Sequence, residues 1–369
     1  MQTIYKEILR CKNLGLRGVL GTIISTQGST YQKNGAKCFI AEDGKLTGLV
    51  SGGCVEGDIK EIALQIIEEG QPKIIHYDFQ DKGDLIWGLG LGCNGKINIL
   101  LEPYIPTTSE SELFEEWFKQ GMDKTLHSII VVEAANSSLV GSKWIIDPET
   151  QEYNHIPFKE IINDYVSKKD LQSNYCKLEN IDGNERFQVF YDSISPSPRL
   201  VVFGAGPDAI PLVQMAKQIE WHVTVLDHRP GYINQKNFRE ADELINFKAG
   251  AIPEITLKEN TYVVIMSHHF LHDQMMLKEV INSEAAYIGL LGPRKRTYEL
   301  GKSLGITNHP NLHKIHSPIG LDIGSVTPEE IGLSILAEIL MVFRGGTGNK
   351  LTKGMINFSS KEEEQLLEI

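Results

Sequence analysis

The residues that could carry chemistry fall into separate clusters along the chain. In the first half, SGGCVEGD stands where a helix is expected to begin, near Val55. A cysteine at a helix N-terminus has its thiolate stabilised by exposed N–H groups, which lowers its pKa. Cys54 is therefore a candidate sulfur carrier, nucleophile or soft metal ligand. Cys93 lies in GLGLGCNGK, among glycines that leave sulfur accessible, and the two thiols could flank one ligand. Equally, both could be small buried residues, as free cysteines often are. The segment QGSTYQKNGAK (27–37) offers Gln27, Ser29, Thr30 and Lys37 in an expected polar loop, suited to phosphate or pterin contacts or simply to solvent.

In the second half, VVFGAGPDAIPLVQMA places Gly204, Gly206 and Ala209 at the three positions of a GxGxx(G/A) turn between a strand and a helix. The first glycine permits the tight turn, the second lets backbone approach a phosphate, and the alanine allows close helix–strand packing. Free amides at that helix start attract an anion. Asp227 ends the next strand, where an acid can bind a ribose diol. The same cradle could hold any pyrophosphate, or stand empty on a Rossmann scaffold. His268, His269, His272 and Asp273 follow the strand TYVVIM, at the carboxyl edge where ligands of such sheets bind. Imidazoles there could orient a ligand, bind a metal, shuttle protons or merely cap the next helix. If helical, His268 and His272 would face the same way. Arg294, Lys295 and Arg296 in GLLGPRKR form a basic cluster after another strand, read either as an anion site or as a solvated helix face.

These clusters need elements to hold them. The pattern predicts a helix over 3–13, a strand over Val19–Ser25, a loop over Thr26–Gly35, and strands over Lys37–Ala41 and Lys45–Val50 around Asp43-Gly44. Ile59, Ile62, Ala63, Ile66 and Ile67 have helical spacing over 55–69, with Gly70 as a stop. Strands are expected at 73–79 and 96–102, then linker plus helix over 106–128 and strand-like runs over 129–147. GSKWIIDPETQEYN lines up with GAKCFIAEDGKLTG, an echo explained by an internal duplication or by chance. The stiff SISPSPR (193–199) marks a boundary. Beyond it RLVVF, HVTVLD, TYVVIM and AAYIGLL alternate with helical stretches, including 208–219 and 271–282, as in a doubly wound parallel sheet. Thr-Pro-Glu-Glu opens a helix over 327–343. The expected fold is α/β: a Rossmann-like doubly wound domain over 199–345, an N-terminal α+β domain over 1–192, and a charged tail over 346–369.

Bulk properties narrow the class. With 36 basic against 48 acidic residues the net charge is -12, which argues against a nucleic-acid partner. No apolar run approaches the roughly 18 residues of a membrane span, and no signal-peptide pattern opens the chain, so a cytoplasmic protein is expected. The cysteines Cys11, Cys38, Cys54, Cys93 and Cys176 are odd in number and form no CxxC pair, which disfavours a disulfide framework or zinc ribbon.

Taken together, TQGSTYQKNGAKCFIAEDGKLTGLVSGGCVEGD, GLGLGCNGKINILLEP, RLVVFGAGPDAIPLVQMA, VLDHRP, YIGLLGPRKR and SPIGLDIGSVTPEEIGLSILAEI resemble the xanthine dehydrogenase accessory family, XdhC/CoxI. The resemblance runs from about residue 18 to 343 and is poor near 105–190. It implies a protein that binds the molybdenum cofactor (molybdopterin), supports its sulfuration with a cysteine desulfurase, and delivers it to a xanthine dehydrogenase-type enzyme of purine catabolism. Some family members are described as subunits of the dehydrogenase itself. The motif positions carried over are Gln27, Gly28, Ser29, Thr30, Gly52, Gly53, Cys54, Glu56 and Cys93, with Gly204, Gly206, Asp227, Arg229 and His268 in the Rossmann half. Arg294 joins the cofactor-binding set through the basic cluster. Pro207-Asp208 departs from the His-Val expected in many relatives, removing one histidine, although proline suits a first helical position. A homodimer could shield a labile cofactor. Two other readings remain: an NAD(P)-dependent oxidoreductase using the histidines as proton donors, and a purely structural component of a dehydrogenase complex. The absence of an iron–sulfur cysteine pattern excludes a complete xanthine dehydrogenase.

Overall fold

The computed structural model describes residues 1–53, 55–79, 94–136, 139–146, 176–182 and 186–352. The chain divides into two compact units at Pro196–Ser197.

The first unit is built on two antiparallel sheets. Helix α1 (Gln2–Leu14) leads into β1 (Gly18–Ser29), β2 (Lys37–Ala41) and β3 (Leu46–Gly48). Helix α2 (Glu56–Glu69), β4 (Lys73–Asp78) and β5 (Asn94–Tyr104) follow, giving the order β3-β2-β1-β5-β4. The α2 spacing works as expected: Ile59, Ala63, Ile66 and Ile67 bury against Val19, Ile23, Cys38, Ile40 and Ile99. Gly70 ends the helix in the left-handed conformation. The expected Lys45–Val50 strand shrinks because Gly48 turns at φ 84 beside the Lys37 carbonyl. Conversely, β1 outruns its expected end: after a bulge between Ile23 and Ser25 it pairs with β5 as far as Ser29. Backbone hydrogen bonding to β5 therefore overrides the polar composition that suggested a loop.

The second sheet lies in the stretch where sequence patterning was weak. Helix α3 (Ser109–Gln120) precedes β6 (Leu126–Ala134), β7 (Lys143–Ile146), β8 (Lys177–Asp182) and β9 (Arg186–Ile194), in the order β7-β6-β9-β8. This repeats the helix and the β2-β1-β5-β4 sheet of the first half. The match extends to detail. Thr22 faces Lys37 and Ile130 faces Lys143. The bulge recurs between Val131 and Glu133. Gly35 N donates to Ile23 O and Gly141 N to Val131 O, both at 2.8 Å, with both glycines at positive φ. So many coincident irregularities make the faint sequence echo a structural duplication.

The copies are tied crosswise. Lys37 pairs with Asp192 of the second sheet at 2.7 Å, and Lys143 pairs with Glu102 of the first at 3.1 Å. Leu20 faces Glu102 and Ser128 faces Asp192, so the two carboxylates also hold equivalent positions. All four charged side chains are buried, and Lys143 lies 4.1 Å over the Phe114 ring. Burial pushes the Glu102 carboxyl above its ordinary range, against the pull of Lys143 and Lys37.

The second unit is a parallel sheet of β10 (Arg199–Phe203), β11 (His222–Asp227), β12 (Glu243–Asn246), β13 (Thr261–Ile265), β14 (Tyr287–Leu290) and β15 (Ile315–His316), in the order β12-β11-β10-β13-β14-β15. This is the doubly wound dinucleotide-fold order, with its switch point between β10 and β13. Helices α4 (Ala209–Gln218) and α7 (Pro328–Arg344) cover one face through Leu212, Val213, Ile335 and Ile339. Helices α5 (Phe270–Val280) and α6 (Arg294–Leu304) cover the other through Met276, Leu277, Val280 and Leu300. A reciprocal cap between Thr327 and Glu330 starts α7, as its sequence signal predicts.

Candidate functional site

In the first unit, β1 carries Gln27, Gly28 and Ser29 to an exposed end beside Lys96, Gly95 and Asn94 of β5. A Cβ at residue 95 would stand 2.5 Å from the Gln27 carbonyl oxygen and 2.7 Å from that of Ser29, so only glycine admits this close crossing. Thr30 Oγ1 donates to the Gln32 carbonyl at 2.8 Å and is engaged in its own turn.

Opposite lies the loop that opens α2. Ser51 is buried, whereas Gly52 and Gly53 are exposed, Gly53 at φ 105. Glu56 folds back over the loop: its Oε1 accepts from Ser51 N at 2.9 Å and its Oε2 from the Ser51 hydroxyl. Ser51 Oγ in turn accepts from Gly53 N at 3.2 Å and Val55 N at 3.3 Å. Glu56 is thus a clasp that shapes the glycine loop. The Tyr31 ring covers Gly52 at 3.4 Å from where a Cβ would stand, and it is itself exposed. The fold therefore joins the Gln27–Tyr31 segment to the Gly52–Glu56 loop. Ser51 and Tyr31 were not singled out from the sequence, although both sit inside the two motifs. Cys54 and Cys93 lie outside the described residues. Elsewhere in this unit, burial pushes the Cys38 thiol up to about 12 and the Cys176 thiol up to about 11, so neither is a ready thiolate.

In the second unit, Gly204 turns at φ 120, and a Cβ there would stand 2.5 Å from the Met266 carbonyl oxygen. Beyond this turn the expected cradle is altered by the chain's own side chains. Pro207 is not the first residue of the helix: α4 begins at Ala209, and Pro207-Asp208 form a turn in which Ala209 N donates to Gly206 O. That turn sets the Asp208 carboxylate against Gly206, where any Cβ would collide with it. His268 donates to Asp208 from Nε2 at 2.8 Å. His268 stands before α5 at φ 59, so it does not share a helical face with His272 as its spacing suggested.

Asp227 is buried and saturated. Its Oδ2 accepts from Ala205 N and Arg229 Nη2, both at 2.7 Å, and its Oδ1 from Arg229 N at 2.8 Å and Nε at 3.0 Å. Burial would raise its pKa, but the Arg229 side chain and the two amides outweigh that and hold it low. The Arg229 guanidinium lies 4.3 Å over the Tyr232 ring. Asp273 is likewise tied, to Arg296 at 2.7 Å and to the Ser267 hydroxyl at 2.5 Å. Arg294 and Lys295 are exposed at the start of α6 while Arg296 turns inward, so the basic cluster is split. His228, adjacent to Asp227 at the strand end, joins the histidine group without having been foreseen: its ring lies 4.2 Å from that of His272, which lies 4.4 Å from that of His269. Among the described residues no group of three or more His, Cys, Asp or Glu is arranged to hold a metal ion. Among them, too, no helix is long and apolar enough to cross a membrane.

Fold and sites together define a two-unit protein with a Rossmann domain and a duplicated β module bearing a glycine loop. The models describing the XdhC and CoxI family and the XdhC Rossmann domain match residues 11–78 and 200–339. A Bacillus subtilis (strain 168) protein, named as a probable subunit of xanthine dehydrogenase, is 34% identical over 329 residues, covering 87% of this chain and 92% of its own. The chain belongs to the XdhC and CoxI family. The molybdenum cofactor insertion chaperone PaoD of Escherichia coli (strain K12) is 22% identical over 346 residues, covering 92% of this chain and 88% of its own. A solved structure from Bacillus halodurans, described as a xanthine dehydrogenase, superposes with a TM-score of 0.76 at 30% identity, covering 95% of this chain and 98% of that one.

Proposed function

We propose that this chain is a molybdenum-cofactor accessory protein that binds the cofactor and hands it to a xanthine dehydrogenase-type enzyme. The observation that carries the reading is the similarity, over 92% of the chain, to a protein named as a molybdenum cofactor insertion chaperone. The described residues fit such a ligand. Gln27 and Ser29 at the exposed end of β1 and the backbone of the Gly52-Gly53 loop are polar groups, and Tyr31 adds an exposed aromatic face for a pterin. Cys54 follows directly in sequence, and a thiolate is a suitable donor for a metal that takes sulfur and oxygen ligands. The bound group would supply the oxygen- and sulfur-transfer chemistry; this chain's part is to bind, orient and release it. A cysteine desulfurase as sulfur donor and a homodimer as the carrying form belong to the same proposal.

The geometry weighs against the NAD(P) reading. A ribose diol needs a free acceptor on the acid that ends β11, and Asp227 has both oxygens engaged by Arg229 and Ala205. The phosphate position at Gly206 faces the Asp208 carboxylate. A second reading, a permanent component of the dehydrogenase, is favoured by the name of the Bacillus subtilis relative.

Anaerobic calorimetry on the full chain, with molybdenum cofactor and separately with NAD(H), tests the proposal. Saturable cofactor uptake without a response to NAD(H) is expected, and Cys54→Ala should weaken uptake and target activation by at least about tenfold. Tight NAD(H) binding without cofactor uptake would return the oxidoreductase reading to first place. Stoichiometric co-purification with the dehydrogenase would favour the permanent component.

A further inference from the structure

At the carboxyl edge of the parallel sheet the charges have a consistent layout. Each acid has its own partner: Asp227 is held by Arg229, Asp273 by Arg296, and Asp208 by His268. Beside them lies a cluster of imidazoles from two strand ends and a helix, His228 edge-on to His272 at 75° and His272 tilted against His269 at 37°. The nearest acid contact within it is His228 Nδ1 to Asp227 Oδ1 at 3.4 Å, and that oxygen already accepts from Arg229. His272 Nδ1 is buried and has no hydrogen-bond partner. Burial, then His228 and His269, lowers the His272 pKa below its ordinary value. Imidazoles in ring contact cannot all carry charge without a counter-ion between or beside them. The two carboxylates beside the rings, Asp227 and Asp273, already balance Arg229 and Arg296.

We infer that the His228–His272–His269 cluster is an oxyanion site of the Rossmann unit, taking a phosphate-like dianion with uptake of a proton by the cluster. The chain's own Asp208 carboxylate stands beside Gly206, where a phosphate would ordinarily approach, and the anion-binding role moves to the neighbouring strand ends. With Asp227 and Asp273 already paired to arginines, the incoming anion provides the further counter-charge, so one imidazole becomes imidazolium and donates to it. The proton comes from solvent and returns there on release. Binding therefore tightens as pH falls. The charged groups about the cluster are Asp227 at the end of β11 and Asp273 on α5, paired with Arg229 and Arg296, and the Asp208–His268 pair lies at the same edge of the sheet. Because these acids are already paired, the imidazole cluster dominates the pH dependence. The inference is independent of the molybdenum reading, since the anion could belong to any phosphorylated ligand.

The probe is inorganic sulfate, whose charge does not change near neutrality, so any pH dependence belongs to the protein. Calorimetry on the full chain should show sulfate binding about tenfold tighter at about pH 6 than at about pH 8, with proton uptake seen as a dependence on buffer ionisation enthalpy. His272→Gln should abolish the pH dependence, and a melting curve should show that the variant is folded. Should that substitution unfold the unit, the exposed His269→Gln serves instead, expected to weaken binding at the lower pH by roughly fivefold. Sulfate binding that ignores pH, that survives both substitutions, or that disappears only with Arg294→Ala would overturn the inference, as would no binding at all. Failure here leaves cofactor uptake untouched, so the two readings fall separately.

Discussion

Gly204 and Asp227 show how closely single residues are constrained around the Rossmann turn. At Gly204 the positive φ and the Met266 carbonyl act together, so an added methyl meets backbone that cannot move without shifting β13. Gly204→Ala is expected to destabilise the second unit by about 2–4 kcal/mol in urea titration, from steric overlap plus left-handed strain. A loss below about 0.5 kcal/mol would mean that the turn relaxes freely. Asp227 is conventional in position and unconventional in use. It fastens the glycine loop through Ala205 and holds Arg229 over Tyr232, which makes it a part of the frame. Glu56 plays a comparable part in the first unit, clasping the Gly52-Gly53 loop through Ser51.

At the scale of elements, the duplication explains why charge is tolerated inside the first unit. Each sheet supplies the lysine for the other's acid, and the pairs Lys37–Asp192 and Lys143–Glu102 occupy matching positions on matching strands. Taking one partner away leaves an uncompensated buried charge, which costs about 3–5 kcal/mol, whereas replacing both by apolar groups is near neutral. Lys37→Met and Asp192→Leu should each cost that amount in denaturant unfolding, and the double variant should recover most of it. Strictly additive losses would show that the pair is not coupled. The same cycle on Lys143 and Glu102 is expected to agree, because the two sites share one geometry.

For the molecule as a whole, three histidines, His127 buried and His222 and His272 half-buried, set the acid limit. Burial lowers the pKa of His127 in the first unit and of His222 and His272 in the second below the ordinary 6.5. A histidine depressed in the folded state is neutral there while its unfolded counterpart takes up a proton. Its contribution is therefore complete above about pH 6.5 and is lost as pH falls below it. Asp227 and Asp242, held low by Arg229 and Lys217 against the opposing effect of burial, lose theirs only at lower pH, below the ordinary 3.8. Glu102 works in the opposite sense, its buried charge being relieved on protonation. Melting temperature should thus fall between about pH 6.5 and about pH 5, before the acids titrate. His127→Phe should flatten part of that slope; an unchanged slope would remove His127 from the account.

What the sequence determined by itself is whatever rests on neighbours in the chain. The strand–glycine–helix run through Gly204, the periodic face of α2 with its Gly70 stop, and the Thr327 start of α7 were all legible, because each depends on residues within a turn or two. The family motifs named Gln27–Thr30 and Gly52–Glu56 as well, but not that Tyr31 lies over Gly52 or that Glu56 turns inward to Ser51. Tertiary structure decided everything made by distant partners: the extension of β1 along β5, the second sheet, the crossed lysine–acid pairs, the Asp208–His268 contact and the meeting of His228 with His272. None of these leaves a periodic trace, since a buried ion pair or a ring contact needs two residues brought together from far along the chain. Which side chains face one another is settled only when the sheets close, by the hydrogen bonds and burial that closure makes available.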